Sequence, residues 1–160
     1  MSQFIVRGDG LNMAMDDVVR HFTADPQAWD SLPFEDFLGS KVAVLATEEE
    51  EGRPGVVMLA IEFSPGFFVA RHQHYTGHIE IVLEGSLYIG DHLEQAGDVR
   101  VSPPYESYGP LKAGPDGCKC LEIFSDRRAV LPIVDNPDVA ATHVGDADHL
   151  KGKLEKLLKL

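Results

Sequence analysis

The sequence is poor in cysteine, in basic residues and in long apolar runs, and each shortage closes off a class of protein. Only two cysteines occur among 160 residues, Cys118 and Cys120. Residues two apart on a strand point to the same side with poor geometry for bonding each other, so no disulfide framework is expected and a reduced compartment fits. Lysine and arginine number 14 against 26 aspartates and glutamates, a formal charge of −12. That field repels phosphate backbones and anionic lipid surfaces, which argues against nucleic acid and membrane as partners. No run approaches the ~20 apolar residues of a spanning helix, and the opening MSQFIVRGDGLNMAMDD lacks a basic start followed by a continuous apolar segment. The expected location is therefore cytoplasmic. Repeats and low-complexity linkers are also missing, and 160 residues suit one domain, 1–160, able to close a single core.

What the chain does contain is short β-forming stretches. Met13 to Phe22 reads as a short helix, after which Asp25, Pro26, Ser31 and Pro33 break regular structure. From Lys41 onward KVAVLAT, GVVMLAIEFS, FFVARHQH, IEIVLEGSLYI, DVRVSPP and CKCLEIF are rich in Val, Ile, Leu and Phe and are punctuated by Gly, Pro or acidic turns. Six or more such strands without intervening helical patterns predict an all-β, antiparallel sandwich or jelly roll with its core over about 41–132. The acidic run Glu48 to Glu51, followed by Gly52, reads as a solvated hairpin turn. At the far end Asp146 is placed to cap a helical tail, about 146–160, whose Leu150, Leu154, Leu157 and Leu158 form one stripe. The stripe either packs on its own barrel or makes a dimer contact.

The chemistry concentrates in ARHQHYTGHIEIVLEGS, Ala70 to Ser86. His72 and His74 are two apart, so on an extended strand both rings leave one face and reach a single ion without backbone distortion. His78 and Glu80 keep that parity if the strand runs on, although Thr76 and Gly77 are placed to bend it. The competing reading is of histidines that fall together by chance on a surface or in hydrogen bonds.

Gly66, His72, His74, His78 and Gly85 fit a pattern G-x5-H-x-H-x3-E-x6-G that resembles the first motif of the cupin superfamily, except that His78 stands where the family usually has Glu. Gly97 opens GDVRVSPPYESY, which resembles the second cupin motif, G-x5-P-x-G-x2-H, with Pro103 in place, Tyr105 for the usual Gly and Tyr108 for the usual His. RHQHYTG with VLEGS looks most like the anti-sigma-type cupins, a group that includes dihydroxyacetophenone dioxygenase. The resemblance implies a single RmlC-like jelly-roll barrel holding one divalent transition metal, iron first, with zinc, manganese or nickel as alternatives. The implied ligands are His72, His74 and His78, with Tyr108 as a weaker fourth because a phenol of pKa ~10 needs the cation's help to ionise. Without a bound carboxylate the ion keeps its full charge, which favours an oxygenated, anionic substrate bound through two oxygens.

Other groups compete for this site. Glu80 is either a carboxylate that swings in, together with Tyr108 a catalytic candidate, or an outward surface residue. Asp91 and His92 read as a turn, Glu106 as solvent-facing, Tyr105 and Ser107 as lining the mouth, and Cys118 and Cys120 as small buried hydrophobes. Arg71 and Arg100 read as surface charges, with an anion clamp as the alternative. The leading functional expectation is an iron-dependent dioxygenase that cleaves a carbon–carbon bond in a small diketone or hydroxyketone. A metal-binding sensor or regulator and a zinc-dependent isomerase or hydrolase are the alternatives. A homodimer is expected from the family habit and the leucine stripe.

Overall fold

The structure, a computed structural model, describes residues 4–6, 12–14, 26–46 and 55–160. They divide into two compact units, Met1–Pro33 and Phe34–Leu160. In the first, β1 (Phe4–Val6) pairs antiparallel with β2 (Asn12–Ala14), and α1 spans Pro26–Asp30. The helix expected over Met13 to Phe22 is corrected at its start: Met13 and Ala14 are strand, paired with Ile5 and Phe4, where cross-strand pairing overrides local helix propensity. Residues 15–22 lie outside the described residues, as does the acidic run Glu48 to Glu51.

The second unit is the all-β body expected from the strand pattern. Its strands are β3 (Glu35–Phe37), β4 (Ser40–Ala46), β5 (Val57–Phe63), β6 (Phe68–Val69), β7 (His72–Gln73), β8 (His78–Ile89), β9 (His92–Gln95), β10 (Val99–Ser102), β11 (Leu111–Phe124) and β12 (Ile133–Val134). The principal sheet runs β10-β8-β11-β5-β4-β3, with β9 added to β8 and β6 to β11, while β12 pairs with β7 separately. Every pairing is antiparallel. β5, VMLAIEF, is buried at all positions but Glu62 because it lies between β11 and β4.

The long strands β8 and β11 stay paired from Ile89 and Leu111 to His78 and Phe124, with register shifts between Ala113 and Cys118 and between Lys119 and Cys120. Gly85 and Gly117 meet at the first shift, both with φ near +75 to +79°. A Cβ on Gly85 would run into the Gly117 carbonyl, so no larger residue fits. At the second shift the extra residue, Leu83, lies in β8, so β11 keeps its alternation, with Cys118, Cys120, Glu122 and Phe124 on one side, while Leu121 is buried on the other.

The core joins Val57, Leu59, Ile61, Phe63, Val82, Leu87 and Phe124 to Leu150, Leu154 and Leu158 of α2 (Ala147–Leu158). Each such side chain taken from water contributes roughly 1.5–3 kcal/mol. The Asp146 side chain accepts the His149 N–H at 2.9 Å and so caps α2 as expected. With its leucines packed on their own core, the stripe supplies no reason for a dimer. Both cysteines are free and buried, as the small-hydrophobe reading holds. No helix among the described residues is long and apolar enough to cross a membrane.

Candidate metal centre

His72, His74 and His78 reach one interior point across a bend of the kind the sequence offers at Thr76 and Gly77. The strand does not run on. β7 ends at Gln73 and β8 begins at His78, and the intervening bend holds Tyr75, whose hydroxyl donates to Asp126 at 2.6 Å. FFVARHQH likewise divides into β6 and β7 at Ala70, whose N–H donates to the Ala141 carbonyl at 2.7 Å. The segment carrying Tyr108 is fixed by main-chain bonds: His72 N–H to the Tyr108 carbonyl at 3.1 Å, Tyr108 N–H back to His72 at 2.9 Å, and Tyr105 N–H to the His74 carbonyl at 2.8 Å. Tyr108 therefore enters beside the histidines from a different part of the chain.

The Nε2 atoms of His72, His74 and His78 lie 3.0, 3.1 and 3.2 Å from the Tyr108 hydroxyl oxygen. Nδ1 of His72 donates to the Ala70 carbonyl at 2.7 Å and Nδ1 of His74 to the Ala129 carbonyl at 2.8 Å. A carbonyl only accepts, so these two rings carry their proton on Nδ1 and present bare lone pairs at Nε2. Nδ1 of His78 is buried without a hydrogen-bond partner, and the ring stacks on Phe124 at 4.8 Å. Burial is the main cause that lowers the three imidazoles, His72 to about 4, His74 to about 3 and His78 to about 4. Arg100 adds to it in each case, and the neighbouring imidazoles reinforce it at His74 and His78. All three are neutral at pH 7, the state in which imidazole ligates metal. Burial and the Glu122 charge raise the Tyr108 phenol well above its usual range.

One phenolic proton cannot satisfy the bare lone pairs of both His72 and His74, so the cluster is short of positive charge at its centre. Among the described residues no group of three or more His, Cys, Asp or Glu side chains stands ready to hold an ion by itself. The phenol closes the set. Three neutral imidazoles, two of them oriented by backbone carbonyls, plus one ionisable oxygen make a donor set that fits a divalent transition metal, and zinc and iron suit it equally on donor type.

Directly next to this cluster lies a charged one. Glu80, only 1% exposed, follows His78 on the same side of β8, which excludes the outward surface reading. Its Oε1 is 3.0 Å from Nη2 of Arg100, and Oε1 of Glu94 is 3.2 Å from the Arg100 Nε, both ion-pair contacts lying outside hydrogen-bond alignment. Nη1 of Arg100 donates to the Ser102 hydroxyl at 2.6 Å, and the guanidinium carbon sits 4.2 Å from the centre of the Tyr108 ring. Arg100 is thus corrected from a surface charge to a largely buried one. Burial raises the carboxyls of Glu80 and Glu94 to about 7, with the Glu122 charge reinforcing it at Glu80 and the bond to Glu80 at Glu94. Burial raises Glu122 too. The Glu80 oxygens lack an aligned donor, and a proton shared with Glu94 or Glu122 would satisfy them.

Glu94 and Glu122 were missed by sequence reasoning. Glu122 had a readable signal, because in CKCLEIF it alternates with Cys120 and Phe124 and so points inward. Glu94 had none; it lies just past Asp91 and His92, which read as a turn, and His92–Gln95 is instead β9, in which His92 is exposed and Glu94 buried. Asp91 and Glu106 are exposed, as expected, and Tyr105 is exposed at the rim. Arg71 is an exposed residue that pairs with Asp135 at 3.1 Å and donates to the Ser107 and Gly109 carbonyls, bracing the segment around Tyr108.

No protein-family model and no curated protein matches the sequence. Among solved structures, a chain in the complex of Rhodobacter sphaeroides SigE with the anti-sigma ChrR is similar at TM-score 0.51 and 18% identity. The match covers 69% of this chain and 56% of that one, so the chain spans little more than half of it. An RmlC-like cupin from Shewanella frigidimarina is similar at TM-score 0.48 and 24% identity, covering 60% and 85% of the two chains. The fold is a cupin jelly roll. KdgF from Halomonas sp. is similar at TM-score 0.49 and 20% identity, covering 60% and 88%. In this cupin fold the imidazole cluster and Tyr108 belong to the two segments that carry the motif-like sequences.

Proposed function

We propose that the chain is a metal-dependent cupin enzyme, a dioxygenase that cleaves a carbon–carbon bond in a small diketone or hydroxyketone. The observation that carries this reading is the convergence of three Nε2 atoms to within 3.0–3.2 Å of one phenol oxygen. His72, His74, His78 and Tyr108 would hold one divalent ion, iron first, with zinc, manganese or nickel fitting the same donors. Bound there, it would supply Lewis acidity toward an oxygenated substrate and redox capacity toward O2.

The protein's own part is electrostatic and geometric. Three neutral imidazoles add no charge, so the centre stays cationic and selects a substrate that ionises to an enolate or similar anion. Tyr108 holds a proton at its oxygen in the metal-free site, a bound ion would help it release that proton, and it is the group placed to give or take one at the substrate. Glu80 acts through Arg100, whose guanidinium it contacts, on the face of the Tyr108 ring. The buried wall of Phe124 against His74 and His78 keeps water from the donors. For a hydroxyketone the overall change is one substrate plus O2 to two carboxylic acids, which consumes both oxygen atoms.

Two free, buried thiols support a reducing, cytoplasmic setting for such an enzyme. The test is an oxygen electrode trace with iron-loaded protein and a panel of diketones and hydroxyketones, with both acids measured. Oxygen uptake matched by product is expected, and substrate binding without uptake would overturn the reading. A second reading, a metal-binding sensor that works through a protein partner, is favoured by the likeness to a structure containing the anti-sigma ChrR. It predicts metal binding without turnover on the same panel.

A further inference from the structure

Arg100 is an expensive residue to bury, and stability alone gives little reason for it. Desolvating a guanidinium beside carboxyls costs several kcal/mol per ion, and apolar side chains of similar volume commonly serve a core as well or better. Its surroundings show what it does hold. Nη2 faces Glu80 at 3.0 Å, Nε faces Glu94 at 3.2 Å and Nη1 donates to Ser102 at 2.6 Å, so the plane of the guanidinium is fixed from three sides by β8, β9 and β10. Its free face lies over the Tyr108 ring at 4.2 Å, within cation–π range. The His72 ring lies 4.6 Å from the same ring centre. The main chain at Tyr108 is pinned to His72, yet a pinned main chain leaves the ring free to turn about its own bonds. The His74 ring, anchored at the Ala129 carbonyl, lies near-parallel to it at 6.1 Å, and Arg100 is the charged group, anchored elsewhere, that bears on its face at closer range.

We propose that Arg100 is a positioning residue that locks the Tyr108 ring so that its oxygen stays at the meeting point of the three imidazoles, making the phenol a metal ligand instead of a side chain that the ion displaces. This rests on the metal reading above and adds a residue and a role to it. A lysine would not substitute, because a point charge lacks the planar face and the spread of three nitrogens that reaches Glu80, Glu94 and Ser102 at once.

The test compares the parent with Arg100→Met and has one readout without metal and one with it. Only four tyrosines occur, so 13C-labelled tyrosine spectra of metal-free protein resolve Tyr108, identified by its loss in Tyr108→Phe. In the parent the two edges of the Tyr108 ring should give separate signals. In Arg100→Met they should merge, because the wider side-chain excursions that carry the oxygen away from the imidazoles also open room for the ring to flip, while the signals of Tyr75, Tyr88 and Tyr105 stay put and show that the fold is intact. Loaded with ferric iron, the parent should show a phenolate-to-iron absorption band that Tyr108→Phe abolishes and that Arg100→Met weakens at least five-fold per bound iron. An Arg100→Met ring as restrained as the parent's overturns the proposal, and a freed ring with a full band overturns its link to the ligand role. If Arg100→Met does not fold, Ser102→Ala, which removes only the bond to Nη1, carries the same test, with a partial loss expected and no change overturning it. A parent that takes up no iron defeats the metal reading, while the ring signals still decide the role of Arg100.

Discussion

His78 and Glu80 are two residues apart on β8 and both almost fully buried, yet they belong to neighbouring clusters that meet the cost of burial in opposite ways. Around Glu80 the protein supplies its own cation, Arg100, and carboxyls raised by burial keep enough protons to limit the remaining negative charge. Around His78 it supplies none. Three neutral imidazoles turn Nε2 toward one phenol, and those of His72 and His74 are bare lone pairs that must share its single proton. The difference shows why one cluster is a candidate site and the other its support: an internally neutralised group has no call on an outside ion, and the imidazole cluster has.

The largest effect expected from separating the two is on metal affinity. In chelator competition with zinc, His72→Ala and His74→Ala should each lose more than about 100-fold, beyond the 10–100-fold typical of losing an outer partner, while Glu80→Gln should lose less than about 10-fold. A Glu80→Gln loss as large as that of His72→Ala would merge the two clusters into one site. His78→Ala should behave like the other histidine variants; full retention would move His78 out of the ligand set.

On stability the order reverses. Glu80→Ala leaves the buried Arg100 with Glu94 and Glu122 still near it, so urea unfolding should show a loss of about 2–3 kcal/mol, under the 3–5 kcal/mol typical of a fully broken buried pair. A loss below about 1 kcal/mol would mean that the cluster carries little charge pairing at all.

The comparison also sets opposite pH slopes in the metal-free protein. The imidazoles fall from 6.5 to about 4, 3 and 4 on folding, so their contribution is complete above pH 6.5 and lost as pH falls toward 4. Glu80 and Glu94 rise from 4.5 to about 7, so the folded state holds protons that the unfolded chain has released, and their contribution is complete below 4.5 and lost as pH rises through 7. Between these limits the slopes oppose each other. Glu80→Gln with Glu94→Gln should therefore show unfolding midpoints that climb more steeply from pH 4.5 to 6.5 than the parent's, and parallel curves would contradict the raised carboxyls. The smallest effect lies outside both clusters. Asp146→Ala removes the cap of α2 and should cost about 1 kcal/mol by thermal unfolding with zinc affinity unchanged.

Much of this was legible in the sequence, for reasons that differ by residue. The strands from Lys41 onward announce themselves because β-branched runs between turn residues have few other stable uses. The Asp146 cap and the leucines of α2 read correctly because capping and one-sided burial are local signals. His72, His74, His78 and Tyr108 were named from motif spacing, and they do meet. The break between Gln73 and His78 had a signal in Thr76 and Gly77, whereas the pairing of Tyr108 with His72 was not readable, since it is set by contact between distant segments. Arg100 and Glu94 were hidden for the same reason: a charged residue on a short strand reads as exposed until the layer that covers it is known.

X-ray absorption on the zinc-loaded protein tests the central claim most directly, because it counts imidazoles around the ion without relying on turnover. Three imidazole nitrogens at about 2.0–2.1 Å with one further light donor, lost in His72→Ala, are what the convergent rings require. An ion surrounded by fewer than two imidazoles, or one whose spectrum is the same in His72→Ala and the parent, would contradict it.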